Sequence, residues 1–208
     1  MISESGRGKK ANAAKPALRK EVGMDRDDGI GCYRRFLAGD RSGLEELLAL
    51  YRRALVLFVN GYVRDAALAE DIAIDVFFEL YKRKKPFDET RGAAFKTYLF
   101  RIARNKALNA LRKRGRRREE PLTGAESAEG DPEEKLIREE RARAVHGAME
   151  KLPEEYREAV YLKYFEGLSP EEIARVTGRR IKRVYNLLAR GRAAMKEILT
   201  AEGIRNDE

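Results

Sequence analysis

At Arg118 the chain changes sign. The stretch Lys96–Arg118, KTYLFRIARNKALNALRKRGRRR, holds no acidic residue, whereas from Glu119 to Glu134 every charged residue is acidic. Pro121, Gly124, Gly130 and Pro132 interrupt the acidic run. Low hydrophobicity, like charges and helix breakers leave such a segment without a face to bury, which marks a flexible acidic linker. The chain therefore divides into two blocks, 32–116 and 135–201, joined by the linker 117–134. Its 208 residues leave room for modest cores only.

Both blocks read as helical. Asp40 and Ser42 are candidate N-caps before Gly43–Asn60, where Leu44, Leu47, Leu48, Tyr51, Leu55 and Phe58 recur at helical spacing. Asn60-Gly61 is expected to stop or kink that helix. A second helix covers about Ala66–Arg83, ended by Pro86, and the loop FDETRGAA leads into the basic stretch. In the second block Lys135–Met149 leads in, and Pro153-Glu154-Glu155 opens a helix to Phe165. Ser169-Pro170-Glu171-Glu172 is a capping box with proline at the first position. Thr177-Gly178-Arg179 is a tight turn before Arg180–Leu199, a helix expected to bury Ile181, Val184, Leu188 and Met195. Nothing alternates with period two long enough for a strand, so the fold class is all-α: two small helical domains, the second a helix-turn-helix. Residues 1–31 are polar and without period, an expected disordered extension in which Met24 is a candidate start; 202–208 form a tail.

A formal charge of +9 favours an anionic partner, nucleic acid before an acidic membrane surface. The single cysteine, Cys32, excludes an internal disulfide, and the single histidine, His146, argues against a catalytic triad or a histidine metal site. No cofactor and no metal are expected. No run approaches the roughly 20 apolar residues of a membrane span, and the first residues lack a signal-peptide core. The expectation is a cytoplasmic protein without membrane insertion.

On a helical wheel Leu99, Ile102, Ala103, Ala107, Ala110 and Leu111 share one face of the basic stretch, with Arg101, Asn105 and Arg112 opposite and Asn109 on the flank. A solvated basic surface and a polyanion-binding surface both fit that pattern. Asn, however, can pair with base edges, whereas Lys and Arg alone mostly track phosphates. In the last helix Arg179, Lys182, Arg183, Asn186 and Arg190 fall on one side, with Arg180 at its edge, as in a helix that enters a major groove.

A helical block ending in a basic helix, an acidic linker and a helix-turn-helix, in that order, resembles bacterial RNA polymerase sigma factors of the extracytoplasmic-function group. The motifs are AEDIAIDVFFELYKR (Ala69–Arg83), AAFKTYLFRIARNKALNALRKR (Ala93–Arg114), LPEEYREAVYLKYFEGLSPEEIARVTG (Leu152–Gly178) and the final helix. The resemblance implies a subunit that binds core polymerase, recognises −10 and −35 promoter elements and promotes melting, with no enzymatic activity of its own. It implies that Asp71, Asp75, Phe77, Phe78, Glu79 and Leu80 dock on the clamp helices of the largest polymerase subunit, and that the second block meets the flap of the second largest. Lys96, Tyr98, Arg101, Asn105, Asn109 and Arg112 would act at the −10 element, with the loop Asp88–Ala94 shaping the pocket of a flipped base. Arg179, Arg180, Lys182, Arg183, Asn186 and Arg190 would read the −35 element. An anti-sigma factor is a further partner common in that family, and the acidic linker would thread the RNA exit path.

The chain departs from the family at four places. Ile74 stands where glutamine is usual, Tyr98 where tryptophan is usual, Lys182 and Arg183 replace a small residue and threonine, and Gly191 replaces alanine. Read without the family, Asp71 and Asp75 are a solvated face or a carboxylate pair, and Tyr98 is an aromatic platform or core. A helix-turn-helix regulator with a sensing N-terminal bundle is the rival reading, but it leaves the basic helix and its asparagines idle. An enzyme acting on nucleic acid lacks a phosphate-cradling glycine loop and spaced metal carboxylates.

Overall fold

The computed structural model describes residues 29–82, 87, 94–117 and 144–202. The N-terminal extension up to residue 28 (Met24 included), the loop before the basic helix and residues 118–143, which hold most of the expected linker, lie outside the described residues. Among the described residues the fold is carried by the α-helices α1 (Ile30–Leu37), α2 (Ser42–Val63), α3 (Ala66–Lys82), α4 (Phe95–Arg117), α5 (144–151), α6 (Glu154–Val160), α7 (Pro170–Thr177) and α8 (Ile181–Ala201). No strand occurs among the described residues.

Local chemistry sets most boundaries. Asp40 Oδ1 accepts the backbone N–H of Ser42 at 3.0 Å as α2 begins, and Asp65 Oδ1 accepts from Leu68 N at 3.1 Å at the start of α3. Ser169 and Glu172 form the expected capping box, and Gly178 ends α7 at φ +69°. Two boundaries differ from expectation. Helix α1 begins at Ile30, which is buried, two residues before the expected domain start at 32. Helix α2 runs through Asn60-Gly61 to Val63 and ends on Arg64 in the left-handed region at φ 50°. Gly61 does not break the helix, because its carbonyl finds a partner in the side chain of Arg157. The expected helix to Phe165 forms, but past α6 it widens into a π-helical turn over Tyr161–Phe165, closed by Glu166 N to Tyr161 O at 3.2 Å.

Leu47, Leu55 and Val59 of α2 meet Val76 and Leu80 of α3 and Leu99, Phe100 and Ala103 of α4 in a continuous core. Fully burying one such side chain is worth about 1.5–3 kcal/mol. Helices α1 and α2 cross at Gly43, where a Cβ would stand 2.3 Å from the carbonyl oxygen of Cys32. The second block does not keep its core to itself. Leu162, Leu168, Ile173, Val176 and Val184 join the same cluster, and only Met149, Leu152 and Val160, with Tyr156, Met195 and Ile198 beside them, form a separate satellite. The two blocks meet along a seam in which α7 lies on α4 and α6 on α2.

Candidate nucleic-acid and partner interfaces

Helix α4 divides its polar residues between two sides. Arg101, Asn105, Asn109 and Arg112 are exposed and follow one another at intervals of three and four, so they form one solvent-facing stripe. Arg112 donates to Asn109 Oδ1 at 3.1 Å within it. Lys96 faces the seam instead: its Nζ lies 2.9 Å from Glu166 Oε2 and donates to the Glu166 carbonyl at 2.8 Å. Tyr98 is half-buried, its ring 5.1 Å from Phe87 and 6.3 Å from Phe95, centroid to centroid. Both readings of Tyr98 therefore keep some ground, since the ring is part packed and part open.

Helix α3 carries the expected acidic face, with Asp71 and Asp75 exposed. Lys106 of α4 reaches across to Asp75 Oδ2 at 3.6 Å and Glu79 Oε2 at 3.4 Å. Two residues expected at this surface are elsewhere. Phe77 and Leu80 are 3% and 0% exposed and belong to the core, so a docked partner cannot touch them without unpacking α3. The apolar surface is made by Ile74, Phe78 and Tyr81, the last two 51% and 63% exposed with rings stacked at 11°. Lys82 Nζ sits 4.3 Å from the Phe78 ring centre. Ile74 and Tyr81 could have been found from their spacing with Phe78, which puts them on the face of Asp71 and Asp75.

On α8 the buried side is Val184, Leu187 and Gly191, and the side facing solvent is centred on Lys182, Asn186 and Ala189. Ile181, expected in the core, is exposed because it lies a quarter turn off that buried line. Tyr185, which the charge pattern passes over, is exposed beside Lys182. Arg180 and Arg190 are exposed as well. Arg183 turns to α6, donating to both carboxylate oxygens of Glu155 at 2.9 and 2.8 Å. Arg179 is mostly buried and bound to Glu158, with Glu155 at 3.7 Å. Of the six expected −35 residues, two are thus held by carboxylates of their own domain.

The close contact of α6 and α8 explains the glycine at 191. A Cβ there would stand 2.7 Å from Val160 Cγ2 and 3.3 Å from Tyr156 Cβ. Alanine would favour the helix by about 1 kcal/mol, but glycine lets the two helices approach.

Glu158 is the best-buried charged side chain among those described, 4% exposed. It accepts from Tyr62 Oη of α2, Arg104 Nε of α4 and Arg179 Nη1 just before α8. Burial opposes the charge on Arg104, yet the adjacent Glu158 carboxylate leaves its pKa raised overall. Burial, helped by Glu158, pushes the Tyr62 hydroxyl well above its usual range. Near this group a cavity of about 790 Å³ opens on the seam, lined by Leu57, Phe58, Val145, Met149, Tyr161 and Phe165 among others. Among the described residues no cluster of His, Cys, Asp or Glu could hold a metal ion, and no helix is long and apolar enough to cross a membrane.

Comparison with known proteins agrees with this arrangement of parts. Residues 47–117 match the family description Sigma-70 region 2, and residues 142–195 match Sigma-70, region 4. The RNA polymerase sigma-H factor of Pseudomonas aeruginosa is 36% identical over 173 residues, covering 77% of this chain and 88% of that protein. The ECF RNA polymerase sigma-E factor of Escherichia coli is 31% identical over 169 residues, 76% of this chain and 86% of that one. Among solved structures, CnrH in complex with the cytosolic domain of CnrY shares the fold at a TM-score of 0.59 and 24% identity, covering 85% of this chain and 99% of that one. So does the sigma factor RpoE of Bartonella quintana in complex with the anti-sigma factor NepR, at a TM-score of 0.59 and 24% identity over 75% and 96% of the two chains. The chain belongs to the sigma-70 family of RNA polymerase sigma factors, in its extracytoplasmic-function group.

Proposed function

We propose that this sigma factor binds core RNA polymerase through α3, reads a −10 element with the outer stripe of α4 and helps open the duplex there, and reads a −35 element with α8. The observation that carries the reading is the α4 stripe, where two neighbouring amides, Asn105 and Asn109, lie between the guanidinium groups of Arg101 and Arg112 on an exposed surface. Guanidinium groups neutralise phosphates, and amides pair with base edges, so the stripe suits a strand being separated from its complement. On α3 the docking face is the acidic line Asp71–Asp75–Glu79 with Ile74, Phe78 and Tyr81, in place of the buried Phe77 and Leu80. On α8 base contacts fall to Lys182, Asn186 and Tyr185, with Arg180 and Arg190 on flanking phosphates. The complex of RpoE, which shares this fold, with the anti-sigma factor NepR supports a partner of that kind for this chain too.

Transcription in vitro with core polymerase tests the reading. The expected result is that core polymerase supplied with this chain starts transcripts at discrete sites on genomic fragments. A chain that neither binds core polymerase nor directs any start would overturn it.

A further inference from the structure

Four charged side chains of the second block alternate in sign from the interior to the surface. Glu158 is buried and binds Arg179, whose own side chain is 18% exposed and has Glu155 at 3.7 Å. Glu155, 46% exposed, accepts from Arg183 through both carboxylate oxygens, at 2.9 and 2.8 Å. Arg183 ends the series with its side chain 58% exposed. The two arginines therefore differ in freedom. Arg179 is pinned by a buried carboxylate, and breaking a buried pair is costly. Arg183 is tied by an exposed pair, a kind worth little in water, so its tie can be exchanged for another anion.

The place of Arg183 gives this pair a consequence. It stands in the first turn of α8, three residues before Asn186 and seven before Arg190, which puts the three on one side of the helix. All three are exposed. Glu155 comes within reach because α6 and α8 approach closely, with Val160 against Gly191 further along the same contact. A carboxylate so placed stands in for a phosphate: it takes the guanidinium through two oxygens, with the same charge-assisted hydrogen bonds. Being part of the chain, it is always beside its arginine, whereas a DNA phosphate must displace it.

We propose that Glu155 competes with DNA for Arg183 and withholds one phosphate contact at the head of α8. The affinity of this block for a duplex is thereby set below what its cations alone would give, and its sequence preference is left to the face centred on Lys182 and Asn186. Glu155 is a positioning residue, acting through Arg183 without touching DNA. The consequence for promoters rests on the −35 reading of α8 given above, but the competition itself holds on any duplex.

Duplex binding over a range of salt tests this, with the full chain on a fluorescent non-promoter duplex and the holoenzyme on a promoter with and without its −35 element. Glu155→Gln should tighten binding to all three by about two- to fivefold. It should also steepen the fall of log affinity with log salt by about 0.9, the value of one added phosphate contact. Most of that gain should vanish when Glu155→Gln is made in an Arg183→Ala background, which a general effect of removing one negative charge, or of altered folding, would not produce. Unchanged affinity and slope in Glu155→Gln overturn the competition, as does a gain of the same size in the Arg183→Ala background. A gain confined to the promoter carrying a −35 element overturns the phosphate contact, because Arg183 would then be reading a base. A parent holoenzyme that starts no transcripts removes the promoter-reading role, while the competition is still read from the non-promoter duplex.

Discussion

Arg157 of α6 donates to the carbonyl of Gly61 in α2 at 2.7 Å, and the same guanidinium donates to the carbonyls of Met149, Glu150 and Leu152 at 3.0, 3.1 and 2.7 Å. One side chain thus satisfies the frayed end of α5 and an orphan carbonyl in the last turn of α2. Burial, together with nearby Arg64, draws its pKa below the usual arginine range, but an arginine stays charged under any ordinary condition. Arg157→Lys keeps the charge and loses the fork, so it should destabilise the chain by about 1–3 kcal/mol, and Arg157→Ala by somewhat more. Chemical denaturation monitored by helix signal measures both. A lysine variant as stable as the parent would show that charge alone suffices here.

Gly191 offers a sharper test of packing against propensity. Helix propensity says Gly191→Ala should stabilise by about 1 kcal/mol, whereas the contact with Val160 says it should not. Overpacking costs about 1–3 kcal/mol. The net expectation is a loss, read as a lower midpoint in thermal unfolding. Gly191→Ala combined with Val160→Ala should recover much of it, because the clash is with the Val160 methyl.

Tyr62 and Tyr161 face each other's blocks from opposite sides of the seam, and both hydroxyls resist ionisation. Burial raises Tyr62, with Glu158 adding to it, and burial raises Tyr161, with Glu166 adding to it. A tyrosine freed from the fold titrates near about 10. The raised native values therefore contribute stability that is full below about pH 10 and is lost as pH climbs toward the folded values. Tyrosinate absorbance should rise with a lagging fraction that appears only as helix signal falls. A titration complete while the helices are intact would show that these hydroxyls ionise in place.

Much of the helix pattern was legible because its determinants are local. Ser169 and Glu172 cap a helix whatever else surrounds them, and Gly178 ends it through its own backbone freedom. Periodicity also located the α4 stripe. The seam was not legible, because Tyr62 and Glu158 are 96 positions apart and Glu158 reads as one more surface acid in EEYREAV. Of the consecutive apolar residues Phe77 and Phe78, the register of Ala69, Ile72, Ala73 and Val76 places Phe77 inside, and the spacing of Ile74, Phe78 and Tyr81 places Phe78 outside. On α8 the buried line runs through Gly191, a residue that a search for apolar side chains passes over, and this shifted the phase enough to misplace Ile181.

Lys182 and Arg183 are adjacent in sequence but not equivalent in place. Arg183 is committed to both oxygens of Glu155, while Lys182 stands at the centre of the open face of α8. An arginine already paired must give up two charge-assisted hydrogen bonds to reach DNA, which offsets most of what a phosphate returns. Lys182→Ala should therefore reduce the dependence of transcription on the −35 element more than Arg183→Ala, although arginine is the stronger reader of guanine in general. Asn105→Ala should leave −35 dependence unchanged and slow promoter opening, since its amide lies on the α4 stripe in the other block. Opening kinetics on a promoter with and without its −35 element separate the three variants. Equal −35 dependence in Lys182→Ala and the parent would place the reading face of α8 elsewhere.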